Sequence, residues 1–262
     1  MSVVVYEHPL SPYAQKVKIA LDEKGVIYET KMPSAIGTGR VDKEFLEANP
    51  RGEVPVLLDG HSALFDSTII LEYIEDRWPE PALLPKAPLQ RARARTIEEV
   101  MDSHFEPINW GMGEIRWFKR AEGHLAQEIE RRAAAQARGL YEWLSRMLGS
   151  EKWFGGETFG WADAAVVPYL NGARGNGIGP HESSPLGLWL SRVNARPSVA
   201  KANQAAADSI KGMTNVADAV RQGFFKREYR DHRLDWMIRS GGLEVVLEGI
   251  KNNNIRFTNE LS

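Results

Sequence analysis

The stretch Tyr6-Glu7-His8-Pro9-Leu10-Ser11-Pro12-Tyr13-Ala14-Gln15-Lys16-Val17 combines the end of a strand, a turn and the start of a helix. The β-branched run from Val3 to His8 predicts a buried strand, and apolar residues recur with helical spacing from Pro12 to Lys24. Ser11 stands at the expected N-cap, with Pro12 at the first helical position. The sequence therefore predicts a helix that begins directly beside the end of a strand.

Two interpretations of Ser11 stay open from this stretch alone. Ser11 can be a plain helix cap. Alternatively, the N–H groups and the partial positive charge of the helix start can attract an anion, and a thiolate would be favoured there. In that case the Ser11 hydroxyl donates a hydrogen bond to the sulfur of a bound thiol and is not itself the nucleophile.

The segments that follow predict a small mixed sheet. The order is βαβ followed by αββα, with one crossover that requires a parallel pair and one tight turn, at Asp59-Gly60, that requires an antiparallel pair. The expected elements are a strand at 26–32, a short helix at 43–48, a hairpin of 56–58 with 63–65, and a helix at 67–77.

A proline-rich segment divides the chain. Pro79, Pro81, Pro85 and Pro88 predict a linker, and only amphipathic helices are expected after it. The helical stretches are 90–118, 125–148, 161–172, 185–195 and 198–210. We therefore expect an α/β domain at 1–79, a linker at 80–89, an all-helical domain at 90–215 and a C-terminal extension at 216–262. In the extension, the basic residues interleave with acidic ones and predict a solvated helix face with local ion pairs; they are Lys226, Arg227, Arg230, Arg233 and Arg239.

Composition excludes several classes of function. Lys plus Arg number 33 against 35 Asp plus Glu, for a formal net charge of −2, so we expect no nucleic-acid partner. The absence of cysteine excludes disulfides, thiolate metal sites and protein thiol nucleophiles. The spacing of the six histidines predicts no metal site. With no leader-like N-terminus and no long apolar run, the chain is expected to be cytoplasmic and not membrane-bound.

Two further stretches carry candidate binding residues. In Asn49-Pro50-Arg51-Gly52-Glu53-Val54-Pro55-Val56-Leu57, a cis Val54–Pro55 bond would turn the Val54 backbone towards a ligand, whereas a trans proline would simply open an edge strand. Asp66-Ser67 precedes a helix: Ser67 is either a cap or a ligand for a carboxylate, with Asp66 binding an ammonium group. An α-amino acid group would satisfy both residues.

Taken together, the three stretches resemble the cytosolic glutathione transferase superfamily, and its serine-type, theta-like members in particular. The resemblance implies a thioredoxin-like N-terminal domain, an all-α helical-bundle C-terminal domain, a homodimer and a role in detoxification, with glutathione as cosubstrate. It assigns thiol activation to Ser11, a backbone clamp to Val54 with cis-Pro55, and the γ-glutamyl site to Asp66 and Ser67. Tyr6 corresponds to a strand tyrosine that has a packing role in the serine-type members.

The sequence departs from the family pattern at Glu53. Many relatives carry Lys or Gln there to bind the glycine carboxylate of glutathione, and Glu53 would repel it. Arg40 is the better candidate for binding the glycine carboxylate in place of that residue, and Arg51 is the second candidate. Gly160 replaces the usual Ser or Thr of a buried capping element, so Asp163 is expected to cap through backbone N–H groups.

Two functions from different classes remain open. The first is an enzyme in which glutathione attacks a small hydrophobic electrophile, with a lyase (etherase) or dehalogenase as a special case. The expected pocket is formed by the 35–39 loop and by Pro9, Leu10, Asn109, Trp110, Met112, Trp117 and Tyr169. The second is a protein of the same fold that binds glutathione, another ligand or a partner without turnover.

Overall fold

The computed structural model describes residues 3–34, 42–211, 216–223 and 231–253. Its N-terminal part holds the four strands and three helices: β1 (Val3–Tyr6), α1 (Pro12–Glu23), β2 (Tyr28–Lys31), α2 (Lys43–Ala48), β3 (Val56–Asp59), β4 (Ser62–Phe65) and α3 (Ser67–Arg77). The helices that follow are α4 (Pro88–Val100), α5 (Glu106–Arg116), α6 (Gly123–Leu148), α7 (Trp161–Gly175), α8 (Pro185–Asn194), α9 (Pro197–Lys211), α10 (Val216–Arg221), α11 (Asp231–Arg239) and α12 (Leu243–Lys251). No helix in these ranges is long and apolar enough to cross a lipid bilayer.

The four strands form one mixed sheet in the order β2-β1-β3-β4. β1 pairs with β2 in parallel and with β3 antiparallel, and the β3–β4 hairpin is antiparallel as well. Val5 and Leu57 are fully buried beneath α1 and α3, because alternate residues of the strands point into the core. The predicted mixed sheet, and with it the thioredoxin-like fold, is confirmed.

The helix predicted at 90–118 is interrupted. A π-helical turn at Met101–Phe105 separates α4 from α5. The physical reason is Pro107, which lies in the first turn of α5 and has no N–H to continue the regular hydrogen-bond ladder. The wider turn lets Asp102 face α1 and α7.

Asp163 holds the start of α7 through hydrogen bonds, as expected. Its carboxylate accepts from the backbone N–H of Gly160 (3.0 Å), that of Phe154 (3.1 Å) and the indole N–H of Trp189 (2.8 Å). Burial raises the pKa of Asp163 to about 6, against the opposing effect of these hydrogen bonds. The residue therefore joins α7, α8 and the preceding loop.

Replacing Asp163 with Asn is expected to lower the free energy of unfolding by about 2 kcal/mol, because an amide NH₂ would face N–H donors in a buried site. Urea denaturation followed by circular dichroism measures the loss. Asp208→Asn on the exposed end of α9 is the matched control and should unfold at the wild-type urea concentration. Equal midpoints for the two variants would contradict the assigned role of Asp163.

The prediction of a solvated basic face in the extension holds only in part. Arg239 pairs with Asp235 one helical turn away, at 3.3 Å. Arg233 makes no local pair of this kind: 17% of its side chain is exposed, and it forms an ion pair with the buried Glu106 of α5, 127 residues earlier in the chain. The tertiary packing of α11 overrides the local charge pattern there. Lys226, Arg227 and Arg230 lie outside the described residues.

Candidate active site at the start of α1

The turn between β1 and α1 is held by hydrogen bonds from its own residues. The N–H of Ser11 donates to the carbonyl of His8 (2.8 Å), and the N–H of Leu10 donates to His8 Nδ1 (3.2 Å). Gln15 reaches back from α1 and donates to the carbonyl of Pro9 (2.7 Å). These contacts fix where α1 begins.

Ser11 is the N-cap of α1, and Pro12 occupies the first helical position, as predicted. The Ser11 hydroxyl oxygen accepts the N–H of Ala14 at 3.3 Å. A hydroxyl that accepts one hydrogen bond keeps its own proton for donation. No acidic residue lies in the first turn of α1, so nothing in that turn offsets the positive end of the helix dipole.

The loop from Asn49 to Pro55 is also tightly held. The buried Asn49 side chain donates to the carbonyl of Glu53 (2.7 Å) and accepts the N–H of Arg51 (3.0 Å). The Val54–Pro55 peptide bond is cis, as the family resemblance implies. Val54 lies before the ladder that starts at Val56, so the ladder leaves its backbone N–H and C=O unused.

The cap of α3 is Asp66 and not Ser67. The Asp66 carboxylate accepts the N–H groups of Thr68 (3.0 Å) and Ile69 (3.3 Å). Its backbone has φ 73°, a conformation that costs a non-glycine residue on the order of 1–3 kcal/mol and that clusters at ligand sites. Ser67 begins the helix and is 6% exposed.

Arg51 lies between two carboxylates of this region. Its guanidinium is 3.0 Å from Glu53 and 3.8 Å from Asp66. The cation therefore offsets part of the repulsion that Glu53 would exert on a ligand carboxylate. Arg40, the other predicted partner of that carboxylate, and the 35–39 loop lie outside the described residues.

Tyr6 is placed as a packing residue. Its hydroxyl donates to Glu44 (2.8 Å), and its ring centroid lies 5.4 Å from that of Phe45. Burial and the neighbouring Glu44 raise the pKa of Tyr6 to about 12. A phenol engaged in this way is a poor candidate for ionising a thiol, in agreement with the sequence-based interpretation.

A buried charge cluster anchors α1 to the helical domain. The Lys16 ammonium is fully buried and lies 2.5 Å from both the Glu98 and the Asp102 carboxylates. Glu98 also accepts from Thr68 Oγ1 in α3 (2.9 Å) and from the indole N–H of Trp161 in α7 (2.5 Å). Glu98 thus connects α4 with α1, α3 and α7.

Asp102 ties the same cluster to two tyrosines. Its carboxylate accepts from the Tyr169 hydroxyl (2.7 Å), and its backbone carbonyl accepts from the Tyr13 hydroxyl (3.1 Å). Burial raises the pKa of Asp102 against the pull of Lys16. Sequence reasoning assigned no role to Lys16, Glu98 or Asp102; the available signal was the i, i+4 spacing of two carboxylates on an otherwise amphipathic stretch.

The predicted pocket residues fall into two groups. Pro9 and Leu10 in the turn before Ser11, and Asn109 and Trp110 on α5, are partly exposed, and Trp117, directly after α5, is 37% exposed. The Asn109 side-chain amide donates a hydrogen bond to the backbone carbonyl of Tyr169 (2.7 Å). Met112 and Tyr169 are fully buried among other side chains, so neither is open to a ligand in this conformation and both are left out of the pocket proposed below.

Family comparisons agree with this architecture. The family model described as "Glutathione S-transferase, N-terminal domain" matches residues 5–82, and the one described as "Glutathione S-transferase, C-terminal domain" matches residues 117–196. Two solved structures are similar: a glutathione S-transferase from Rhodospirillum rubrum (TM-score 0.65, 29% identity, covering 76% of this chain and 91% of that one) and rice GST1 in complex with glutathione (TM-score 0.64, 26% identity, covering 81% and 96%).

Curated relatives point to the same family. Glutathione S-transferase U28 of Arabidopsis thaliana is 32% identical over 64% of this chain and 71% of its own length. Maleylacetoacetate isomerase of Pseudomonas aeruginosa is 30% identical over 68% of this chain and 84% of its own, and a stringent starvation protein A homolog of Pasteurella multocida is 30% identical over 60% and 68%. With both family models matched in chain order on a thioredoxin-like domain followed by helices, this chain belongs to the glutathione S-transferase family.

Proposed function

We propose that this chain catalyses the attack of the glutathione thiolate on a hydrophobic electrophile. The sulfur forms a bond to carbon while the leaving group departs with the bonding electron pair; cleavage of an ether (lyase) and loss of a halide (dehalogenase) are special cases. Ser11 donates a hydrogen bond to the thiolate and holds it in the ionised form. Glutathione is the cosubstrate of the family.

The observation that carries this proposal is the position of the Ser11 hydroxyl at the start of α1. A hydrogen bond to a charged group contributes roughly 1.5–3 kcal/mol, and the part that favours thiolate over thiol lowers the thiol pKa by one unit per 1.36 kcal/mol. A decrease from about 8.5 to about 7 raises the ionised fraction at pH 7 from a few per cent to about half.

The rest of glutathione is assigned to the residues around Ser11. We assign the cysteinyl backbone to Val54 and Pro55, the γ-glutamyl carboxylate to Ser67 and its ammonium to Asp66. Support comes from the position of Ser67 at the first turn of α3 and from the strained Asp66 backbone beside it. Arg40 or Arg51 binds the glycine carboxylate.

Replacing Ser67 with Ala is expected to raise the KM for glutathione about tenfold with little change in kcat, because the lost hydrogen bond to a carboxylate is made equally in the ground and transition states. Steady-state kinetics with varied glutathione measures it. Ser62→Ala, on the exposed hairpin strand β4, serves as control and should keep the wild-type KM. A drop in kcat at unchanged KM would remove Ser67 from the γ-glutamyl site.

Further assignments belong to the same proposal. We assign the α/β domain to residues 1–79, the linker to 80–89, the helical domain to 90–215 and the extension to 216–262. Helix α4 begins at Pro88, so the last two residues of that linker are already helical. Pro9, Leu10, Asn109, Trp110 and Trp117 border the electrophile. A homodimer acting in the cytoplasm in detoxification is proposed from the family membership.

The second candidate function is ligand or partner binding without turnover. The observation that favours it is Glu53, a carboxylate close to where the glycine end of glutathione is assigned. Calorimetry with glutathione, followed by turnover assays with an aryl halide and an aryl ether, separates the two. Binding with turnover supports the enzyme, binding without turnover supports the second candidate, and no binding overturns both.

A further inference from the structure

Two helices of the C-terminal extension, α11 and α12, are part of the helical core. Met237 is fully buried, and Trp236, Val245 and Val246 are nearly so, in a cluster formed with α5 and α6 whose members there are Ile108, Met112, Ile115, Ile129 and Ala133. The matched part of the C-terminal family model ends at residue 196, so these helices lie beyond it. A role for the extension must therefore be argued from its own contacts.

Trp236 packs directly on the backbone of α5. A Cβ atom added to Gly111 would lie 2.2 Å from one ring carbon of Trp236 and 2.8 Å from another, well inside van der Waals contact. Glycine at 111 is thus required for α11 to sit at this depth. The Trp236 indole N–H also donates to Gln136 of α6 (2.5 Å), which fixes the ring in that slot.

Arg233, one turn before Trp236, is held against the same helix. Its Nε and Nη2 atoms donate to the Glu106 carboxylate at 3.1 and 2.7 Å, and its guanidinium lies 5.6 Å from the centroid of the Trp110 ring. Burial acts to lower the pKa of Arg233, but Glu106, Tyr13 and Tyr169 outweigh it, so the pKa stays raised. Glu106 follows Asp102, whose backbone carbonyl accepts the Tyr13 hydroxyl, by one helical turn, so the ion pair and Tyr13 contact neighbouring turns of the same helical segment.

This location is next to the assigned thiol site. Tyr13 follows Ser11 by two residues, and its hydroxyl is fixed on the Asp102 carbonyl. Tyr13, Trp110 and Arg233 are each partly exposed, whereas the Met112 and Tyr169 side chains behind them are fully buried. All three partly exposed groups are planar, and the guanidinium adds a positive charge to the two ring surfaces.

We propose that the C-terminal extension completes the electrophile site and that Arg233 is a specificity-determining residue favouring planar aromatic electrophiles over small alkyl ones. This inference rests on the transferase function proposed above. A flat ring packs against the Trp110–Arg233 pair and Tyr13. When the thiolate adds to an activated aryl carbon, negative charge spreads over the ring, and the guanidinium stabilises that charge before the leaving group departs with its electron pair.

The experiment compares Gly111→Ala with Gly113→Ala in the full-length chain. Both substitutions add one methyl to α5, but a Cβ at 113 meets no atom within 4 Å. With 1-chloro-2,4-dinitrobenzene, Gly111→Ala should raise the electrophile KM at least about tenfold, while the KM for iodomethane and that for glutathione change less than about twofold. Gly113→Ala should match the wild type. Hydrogen exchange over 233–253 reports whether α11 has loosened.

A second variant tests Arg233 without dislodging the helix. Glu106→Gln combined with Arg233→Met removes both charges at similar volume and leaves no lone buried charge. It should lower kcat/KM for the aryl halide at least about tenfold, because the guanidinium acts on charge that develops only after the thiolate adds, while kcat/KM for iodomethane changes less than about twofold. An unchanged kcat/KM for the aryl halide in this double variant, or an equal loss for the aryl and alkyl substrates, overturns the inference. Absence of wild-type turnover with both electrophiles would instead count against the transferase function itself.

Discussion

Replacing Ser11 with alanine is expected to lower kcat/KM for glutathione conjugation by roughly 10- to 100-fold while the Kd for glutathione changes little. The physical reason is the loss of one charge-assisted hydrogen bond of roughly 1.5–3 kcal/mol to the thiolate. The pKa of bound glutathione should rise by one to two units, since the thiol no longer has a donor that favours its ionised form. Thiolate absorbance near 240 nm, titrated in the complex, measures that pKa directly.

The chain supplies a matched control for the capping role of the same residue. Ser184 is also an N-cap followed by proline at the first helical position, and its hydroxyl accepts the N–H of Gly187 at 3.0 Å. Ser184→Ala and Ser11→Ala should each lose about 1 kcal/mol of stability. Only Ser11→Ala should change the rate and the thiol pKa; a rate equal to that of the wild type would make Ser11 a cap alone.

Replacing Lys16 with methionine is expected to lower the free energy of unfolding by about 3–5 kcal/mol. Lys16 is fully buried between Glu98 and Asp102, and removing the cation leaves two carboxylates in a site of low polarity. Urea denaturation gives the free energy. The control is Lys201→Met, since Lys201 pairs with Asp22 at 2.7 Å but is 64% exposed and should contribute less than about 1 kcal/mol.

The loss in Lys16→Met should grow with pH. Without the cation, the pKa of Asp102 in the folded protein, already raised by burial, lies further above that in the unfolded chain. The folded state then binds more protons over that window, so stability falls as the pH rises through it. The difference from the wild type should therefore be smaller at pH 5 than at pH 8. A difference independent of pH would mean that packing, and not charge, sets the cost.

Local patterns predicted most of the fold because local interactions set it. The boundaries of α3 and α2 follow from apolar spacing and flanking turn residues, and the Asp59-Gly60 turn fixes the β3–β4 hairpin. The 90–118 stretch was predicted as one helix, because Pro107 was not read as a break within it. The π turn that results places Asp102 in contact with α1 and α7. Such contacts join residues more than 60 positions apart, and no local spacing reports them.

The candidate site was predictable only where it coincides with a local signal. Ser11 and Pro12 predict the start of a helix from their local preferences alone. The cis Val54–Pro55 bond was implied by the family resemblance and is present in the structure. Arg233 was predicted to face solvent, because its acidic neighbours in the sequence offered partners and the docking of Trp236 on Gly111 cannot be inferred from either residue alone. The partners of Arg233 and Trp236 are set by contacts between residues far apart in the chain and not by local helix propensity.

The Glu98 carboxylate constrains how this protein could be recombined with its relatives. It accepts hydrogen bonds from three separate helices, two of them in the part of the chain before the linker. A chimera that grafts the helical half onto another relative's glutathione-binding half would place Glu98 opposite foreign side chains. Only partners that carry a lysine at 16 and a hydroxyl at 68 would be interchangeable, so these positions must be exchanged as a set.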